Sequence, residues 1–190
     1  CMVTVNVNDK LKPVLVSCPT PATINCDFYW DEIEVELALG NEDVLNQFGE
    51  AEYQDNCEMT VDLNVNVNLD QCGNGTITRT WNAEDPGGNK ASTCTQLIFV
   101  HHVSDWVVEF PQDITAICTD EEPEIPEPII TAESCELVAI SYEDTYFQVV
   151  QDACYKIARQ WTVINWCVVG DDIDQEVVEV SEFDLQGIIG

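Results

Sequence analysis

Basic side chains are scarce in this chain. Six Lys and Arg stand against 36 Asp and Glu among 190 residues, giving a formal net charge of −30 and a pI of about 4.1. Phosphate recognition needs clustered cations, and Lys10, Lys12, Arg79, Lys90, Lys156 and Arg159 are scattered singly, so a nucleic-acid partner is excluded. An anionic membrane surface is an equally poor partner. Histidine is confined to His101 and His102, and no CxxC pair occurs, which argues against a zinc site. No run approaches the eighteen or so apolar residues of a membrane span. The basic-then-apolar pattern of a signal peptide is missing as well, so the expectation is a mature chain or a segment of a longer one. Nor does any window make a convincing amphipathic helix; Asn41 to Phe48 has room for one turn or two.

Apolar residues nevertheless make up 45% of the chain, well above a disordered acidic tail, so one or two cores are expected beneath an acidic surface. The ten cysteines, without metal-binding spacing, point to disulfides formed in an oxidising compartment. An extracellular location is the expectation.

Alternation is the clearest local signal. Val61, Leu63, Val65, Val67 and Leu69 are separated by Asp62, Asn64, Asn66 and Asn68, the period of a strand with one wet face. Similar patterns run through Val3-Val5-Val7, Ile33-Val35-Leu37-Leu39 and Ile77 to Ala83, and more loosely through Ile157 to Val163. Turn chemistry at Asn74-Gly75 and Pro86-Gly87-Gly88-Asn89 falls between them. These features predict an all-β fold.

The chain also resembles itself. PTPATINC, ending at Cys26, aligns with PQDITAIC, ending at Cys118. DNCEMTV around Cys57 aligns with ESCELVA around Cys135, and DQCGNGTITRTW with DACYKIARQW, matching Cys72 to Cys154, Arg79 to Arg159 and Trp81 to Trp161. Matches kept in one order imply two copies of a module of roughly 80 to 95 residues, the size of a small β-sandwich. The expected division is 1–8, 9–103 and 104–190. The first piece, CMVTVNVN, reads as the closing strand of a preceding or neighbouring module. Cys1 could instead be the lipidated cysteine of a lipoprotein, but a strand pattern begins where such proteins carry a polar tether.

At CGNGTITRTWNAEDPGGNKASTCTQLIFV, Cys72 to Val100, and VSCPTPATINC, Val16 to Cys26, the chain resembles the hyalin-repeat-like (HYR-like) immunoglobulin-fold modules of giant surface adhesins and gliding-motility proteins of Bacteroidetes-type bacteria. The resemblance covers residues 9–100 well, 105–168 more loosely and 170–190 by position alone. It implies two immunoglobulin-like β-sandwich modules in tandem, stapled by disulfides, exported and without a catalytic site. The family pattern has a cysteine where Gly87 stands; the second copy keeps it as Cys167. The second copy has Phe110 and Asp174 where the first has Cys18 and Cys94. Two losses in one copy suggest two partners. First and last strands run side by side in such sandwiches, so Cys18 is expected to pair with Cys94. Hairpin geometry then suggests Cys135 with Cys167, and Cys26 with Cys72 as Cys118 with Cys154. Cys1 and Cys57 are left as candidate intersubunit thiols.

Other residues admit a structural and a functional reading. Arg79 and Arg159 each stand two residues before a tryptophan, which fits a repeated cation–π pair better than a sugar or anion site. Trp30, Trp106 and Trp166 read as core or junction residues, and His101 and His102 as a solvated linker. Asn74-Gly75-Thr76 is a formal glycosylation sequon, better explained as hairpin chemistry. The Pro-rich acidic stretch Thr119 to Pro128 reads as an extended surface segment. Asp171, Asp172 and Asp174, with Glu84 and Asp85, are weak calcium candidates, since no spacing matches an EF-hand-like loop. No other cofactor is expected. No acid, base and nucleophile set stands out, so no enzyme is expected. The function these readings support is an extracellular structural or adhesive repeat segment of a fibre or filament, contacting copies of itself or adjacent repeats head to tail. The alternative is a surface module binding glycans or another ligand.

Overall fold

The computed structural model describes residues 2–4, 9–115, 124–131, 135–148 and 155–168. The chain is mostly strand and divides into two compact units, Cys1–Val103 and Ser104–Gly190.

In the first unit, a four-stranded sheet has the order β2-β6-β5-β4, with β2 at Ala22–Asn25, β4 at Thr60–Leu69, β5 at Gly75–Glu84 and β6 at Cys94–His101. β4 and β5 form an antiparallel hairpin from Thr60 opposite Glu84 to Leu69 opposite Gly75. β5 continues antiparallel against β6, and β2 joins β6 in parallel. The alternation read from the sequence is what this sheet needs. Ile77, Arg79, Trp81 and Ala83 point to its buried face, and the register sets Trp81 beside Cys94, Arg79 beside Gln96 and Ile77 beside Ile98. β1 (Val14–Ser17) and β3 (Glu52–Gln54) make a second, two-stranded sheet. Tyr53 from β3 packs with Trp81, Ala83 and Cys94, and Leu15, Met59 and Leu63 join this cluster.

The turn between β4 and β5 depends on glycine. Asp70 Oδ1 accepts hydrogen bonds from the Cys72 and Asn74 backbone N–H groups at 2.9 Å. Gly75 has φ +154°, and a Cβ there would stand 2.0 Å from the Asn68 carbonyl oxygen, so any side chain would push the strands apart.

One expected strand is not a strand. Ile33 to Leu39 lies in a helical run made of Cys26–Phe28, the π-helical Tyr29–Glu34 and Val35–Ala38. Helical spacing buries Cys26, Tyr29 and Ile33, while Val35 and Leu39 of the apparent strand stripe are 54% and 77% exposed. Asn25 starts the run by accepting the Phe28 N–H at 2.9 Å, and Glu32, Glu34, Glu36, Leu37 and Ala38 are good helix formers. Of the N-terminal piece, residues 2–4 carry no strand and Val3 is 84% exposed; a closing or donor strand would take its ladder partner from a preceding or neighbouring module. Val5 and Val7 lie outside the described residues. The expected short turn at 41–48 is a 3-10 helix, Glu42–Phe48.

In the second unit, β7 (Val107–Glu109) pairs with β8 (Ile129–Thr131), and β9 (Val138–Phe147) pairs with β10 (Lys156–Asn165). The longer pair is antiparallel and unbroken, from Lys156 opposite Phe147 to Asn165 opposite Val138. Ile157 and Trp161 are buried on one face of β10. Buried Asn165 closes the end of the pair: its amide donates to Glu136, and its Oδ1 accepts the Cys167 N–H at 3.0 Å.

Candidate functional site

Cysteine chemistry defines much of this molecule. Cys18, just beyond β1, is bonded to Cys94 at the start of β6, with the Cα atoms 5.7 Å apart across 76 residues of sequence. Cys26, Cys72, Cys135 and Cys167 are also disulfide-bonded. Cys1, Cys118 and Cys154 lie outside the described residues. The bonded cysteines imply folding in an oxidising compartment.

Cys57 is free and exposed rather than a buried thiol. Its hydrogen bond to Asp9 raises its pKa to about 11, assisted by the nearby charges of Asp9, Asp55 and Asp85. The same hydrogen bond, with a second from the Leu11 N–H, lowers the pKa of Asp9. One carboxylate oxygen each from Asp9, Asp55 and Asp85 lie within 4.8 Å of one another. Asp85 is the calcium candidate that the fold brings into company. Glu84 instead pairs with Lys90 at 3.3 Å on the surface, and Asp171, Asp172 and Asp174 lie outside the described residues.

Three convergent carboxylates could offer oxygens to a hard cation. Within the chain they are held mainly by amides: Asn89 donates to both oxygens of Asp85 through its backbone N–H at 2.9 Å and its side chain at 2.7 Å, and Asn56 donates to Asp9 and Asp55. Oδ2 of Asp55 is buried without a hydrogen-bond partner. The arrangement ties the start of the first unit to the end of β3 and to the turn after β5. Sequence reasoning missed Asp9 and Asp55 because the three acids are far apart in the chain; the Asp55-Asn56 pair is a local hint of turn chemistry only.

The two Arg-x-Trp motifs take different forms. Arg79 is fully buried with its guanidinium carbon 4.4 Å from the Trp81 ring centre. Nη1 donates to the Gly49 carbonyl at 2.7 Å and Gln96 Oε1 at 2.9 Å, and Nη2 donates to Asn46 Oδ1 at 2.9 Å. Gln96 in turn donates to the Thr20 and Phe48 carbonyls at 2.8 Å. All these acceptors are neutral, and burial lowers the Arg79 pKa. Arg159 instead makes a two-pronged pair with Asp144, both contacts 2.7 Å, and its guanidinium lies 3.8 Å from the Tyr142 ring centre and 5.3 Å from that of Trp161. The carboxylate raises the Arg159 pKa, and Arg159 lowers that of Asp144. Asn46 and Gln96 carried no signal in sequence that would have marked them as partners of Arg79.

The remaining candidates are dispersed. Trp81 and Trp161 are 5% and 8% exposed, so neither offers an open stacking platform. Trp166 is exposed rather than core. His101 ends β6, and the His102 backbone N–H donates to Asn74 Oδ1 at 2.8 Å, which engages the sequon asparagine in hairpin chemistry. No helix among the described residues is long and apolar enough to cross a membrane. Compared with family models, curated proteins and solved structures, the chain has no match. What the chain itself defines is a class: a strand-rich, disulfide-bonded, strongly acidic protein of two units.

Proposed function

We propose that this chain is a segment of an extracellular structural or adhesive protein, two HYR-like immunoglobulin-type modules in series whose work is mechanical rather than catalytic. The observation that supports this most is the Cys18–Cys94 bridge. A bond across 76 residues withholds about 250 Å of chain from extension, so a pulled first unit cannot be drawn out between those positions. That property suits a load-bearing thread at a cell surface, joined to copies of itself or to neighbouring repeats. Single-molecule pulling of the 190-residue chain tests it. The unfolding contour of the first unit should lengthen by about 250 Å when reductant is added. Equal contours with and without reductant would overturn the load-bearing role of the bridge.

A second reading, glycan binding, is favoured by one observation. Tyr146 on β9 is 52% exposed, and Tyr142 on the same side of the strand is 51% exposed with one ring face covered by Arg159, whereas Trp81 and Trp161 are buried. Glycan-array binding that disappears in Tyr142→Ala and Tyr146→Ala while the fold persists would support it over the mechanical reading.

A further inference from the structure

β4 ends the four-stranded sheet, and among the described residues its backbone has a partner on one side only, β5. Ten residues of unpaired strand edge are a template for another strand, and natural edges usually carry a guard against that. This one carries little: TVDLNVNVNL contains no Pro, Lys or Arg, and its register with β5 is unbroken, whereas β1 and β3 shift register after Leu15. In a chain of charge −30, Asp62 is the strand's single charged residue.

The pattern of β4 is also complementary to itself. With Val65 on a two-fold axis, antiparallel pairing puts Leu63 opposite Val67, Val61 opposite Leu69, Asn64 opposite Asn66 and Asp62 opposite Asn68. Every apolar side chain then meets an apolar one on one face, and asparagines meet on the other. Val61 and Val67, 44% and 37% exposed, would gain cover. The charge placement selects the antiparallel sense. A parallel in-register pair would set Asp62 against its own copy, whereas the two-fold pair holds the two carboxylates about 20 Å apart, beyond the screening length in physiological salt. A shift of one residue in the pairing would oppose the apolar row to the asparagine row. β9, its counterpart in the second unit, carries Glu143 and Asp144 near its middle and lacks this self-complementarity.

We infer that β4 is a docking edge for β4 of a second copy of this chain, joining two molecules side by side through a two-fold antiparallel strand pair. This lateral contact goes beyond the end-to-end contacts of the proposed thread and does not rest on them. Because each copy is strongly acidic, salt strengthens the pairing by screening.

The test uses the 190-residue chain in a Cys57→Ala background. Sedimentation equilibrium in about 0.05 M and about 0.5 M salt should show a dimer fraction that rises with salt. Val65→Cys should give an interchain disulfide under mild oxidation, identified as a 65-to-65 peptide by mass spectrometry, while Asn64→Cys should crosslink far less. Val67→Lys should weaken association by about tenfold or more, with amide exchange in β5 unchanged as the check that the hairpin is intact. A monomer at both salt concentrations would overturn the inference. So would a dimer insensitive to Val67→Lys, or one whose crosslinks run through residues 2–8 instead of Val65.

Discussion

The β4–β5 and β9–β10 pairs start from one motif and reach different chemistry. Each presents an arginine two residues before a tryptophan on a ten-residue strand, and each arginine lies over an aromatic ring. The residue directly across the hairpin decides the rest. Opposite Arg79 is Val65; opposite Arg159 is Asp144. With no acid in reach across the strand, the two terminal nitrogens of Arg79 donate to neutral oxygens from the 3-10 segment, Gly49 and β6, which ties three parts of the first unit together, while Nε is buried without a partner. Arg159 is satisfied within its own hairpin. A cation in the first unit thus organises long-range structure, and its counterpart in the second makes a local ion pair. The difference is taught by the cross-strand partner, not by the motif.

The largest expected effect belongs to the bridge that closes the first unit. In the chain-entropy account, a link across 76 residues stabilises by about 4 kcal/mol. Replacing Cys18 and Cys94 together by alanine should lower the unfolding free energy of the first unit by that amount, read from the shift of its denaturant midpoint, with peptides from β9 and β10 unaffected in hydrogen exchange. Equal loss in both units would break the comparison by showing that they unfold as one.

Arg79→Lys comes next, at about 3 kcal/mol. Lysine cannot reproduce a fork that serves Gly49, Gln96 and Asn46 at once, and it strands buried acceptors at about 1–3 kcal/mol each. The loss should be confined to the first unit and show little salt dependence, because no acceptor is charged. Chemical denaturation at low and high salt measures both points. A loss below about 1 kcal/mol would mean that water replaces the guanidinium in the core.

Asp144→Asn should cost less, about 1.5–2 kcal/mol, since it removes a charge-assisted pair but leaves the Tyr142 and Trp161 rings over Arg159. It also carries a pH signature. Arg159 holds the Asp144 pKa below its ordinary value of 3.8, so the pair's contribution is fully present above the unfolded value and is lost as pH falls through the folded one. Acid unfolding of the second unit should show this step in the native chain and lose it in Asp144→Asn. The hydrogen bonds of Arg79 involve no carboxylate, so no matching step is expected from them.

This contrast also marks how far sequence reaches. β4, β5 and β10 were legible because apolar residues alternate along them, a pattern that Val61 to Leu69 keeps throughout and that burial follows most closely in β5. Ile33 to Leu39 misled because its apolar residues satisfy a period of two, while the stripe actually buried runs back through Tyr29 to Cys26. The Asn25 cap was the signal for the helix, and it stands upstream of the misleading stretch. The Arg-Trp pairing was readable locally. Its partners were not, because Asn46, Gly49 and Gln96 reach Arg79 only through the register of β5 with β6 and the path of the chain after the 3-10 helix. The Asp9–Asp55–Asp85 group was hidden for the same reason.

The smallest effect is one of reactivity, at a position where the two units again differ. Cys57 aligns with Cys135; the latter is disulfide-bonded and 2% exposed, the former a free thiol on the surface. Asp9 instead occupies the Cys57 thiol with a hydrogen bond. With its pKa raised to about 11, Cys57 remains almost wholly protonated at neutral pH, and the thiolate is the nucleophile. Alkylation by iodoacetamide should therefore be slow despite full exposure and should climb until pH passes about 11. Asp9→Asn removes the carboxylate that accepts the thiol's hydrogen bond, and its charge with it, and should speed alkylation at mildly alkaline pH by about tenfold or more. The rate should fall back to that of the native chain in Asp9→Glu if the longer carboxylate still reaches the thiol. Fast labelling of the native chain at neutral pH would show that Asp9 does not hold the thiol, and would return Cys57 to the role of a ready intersubunit link.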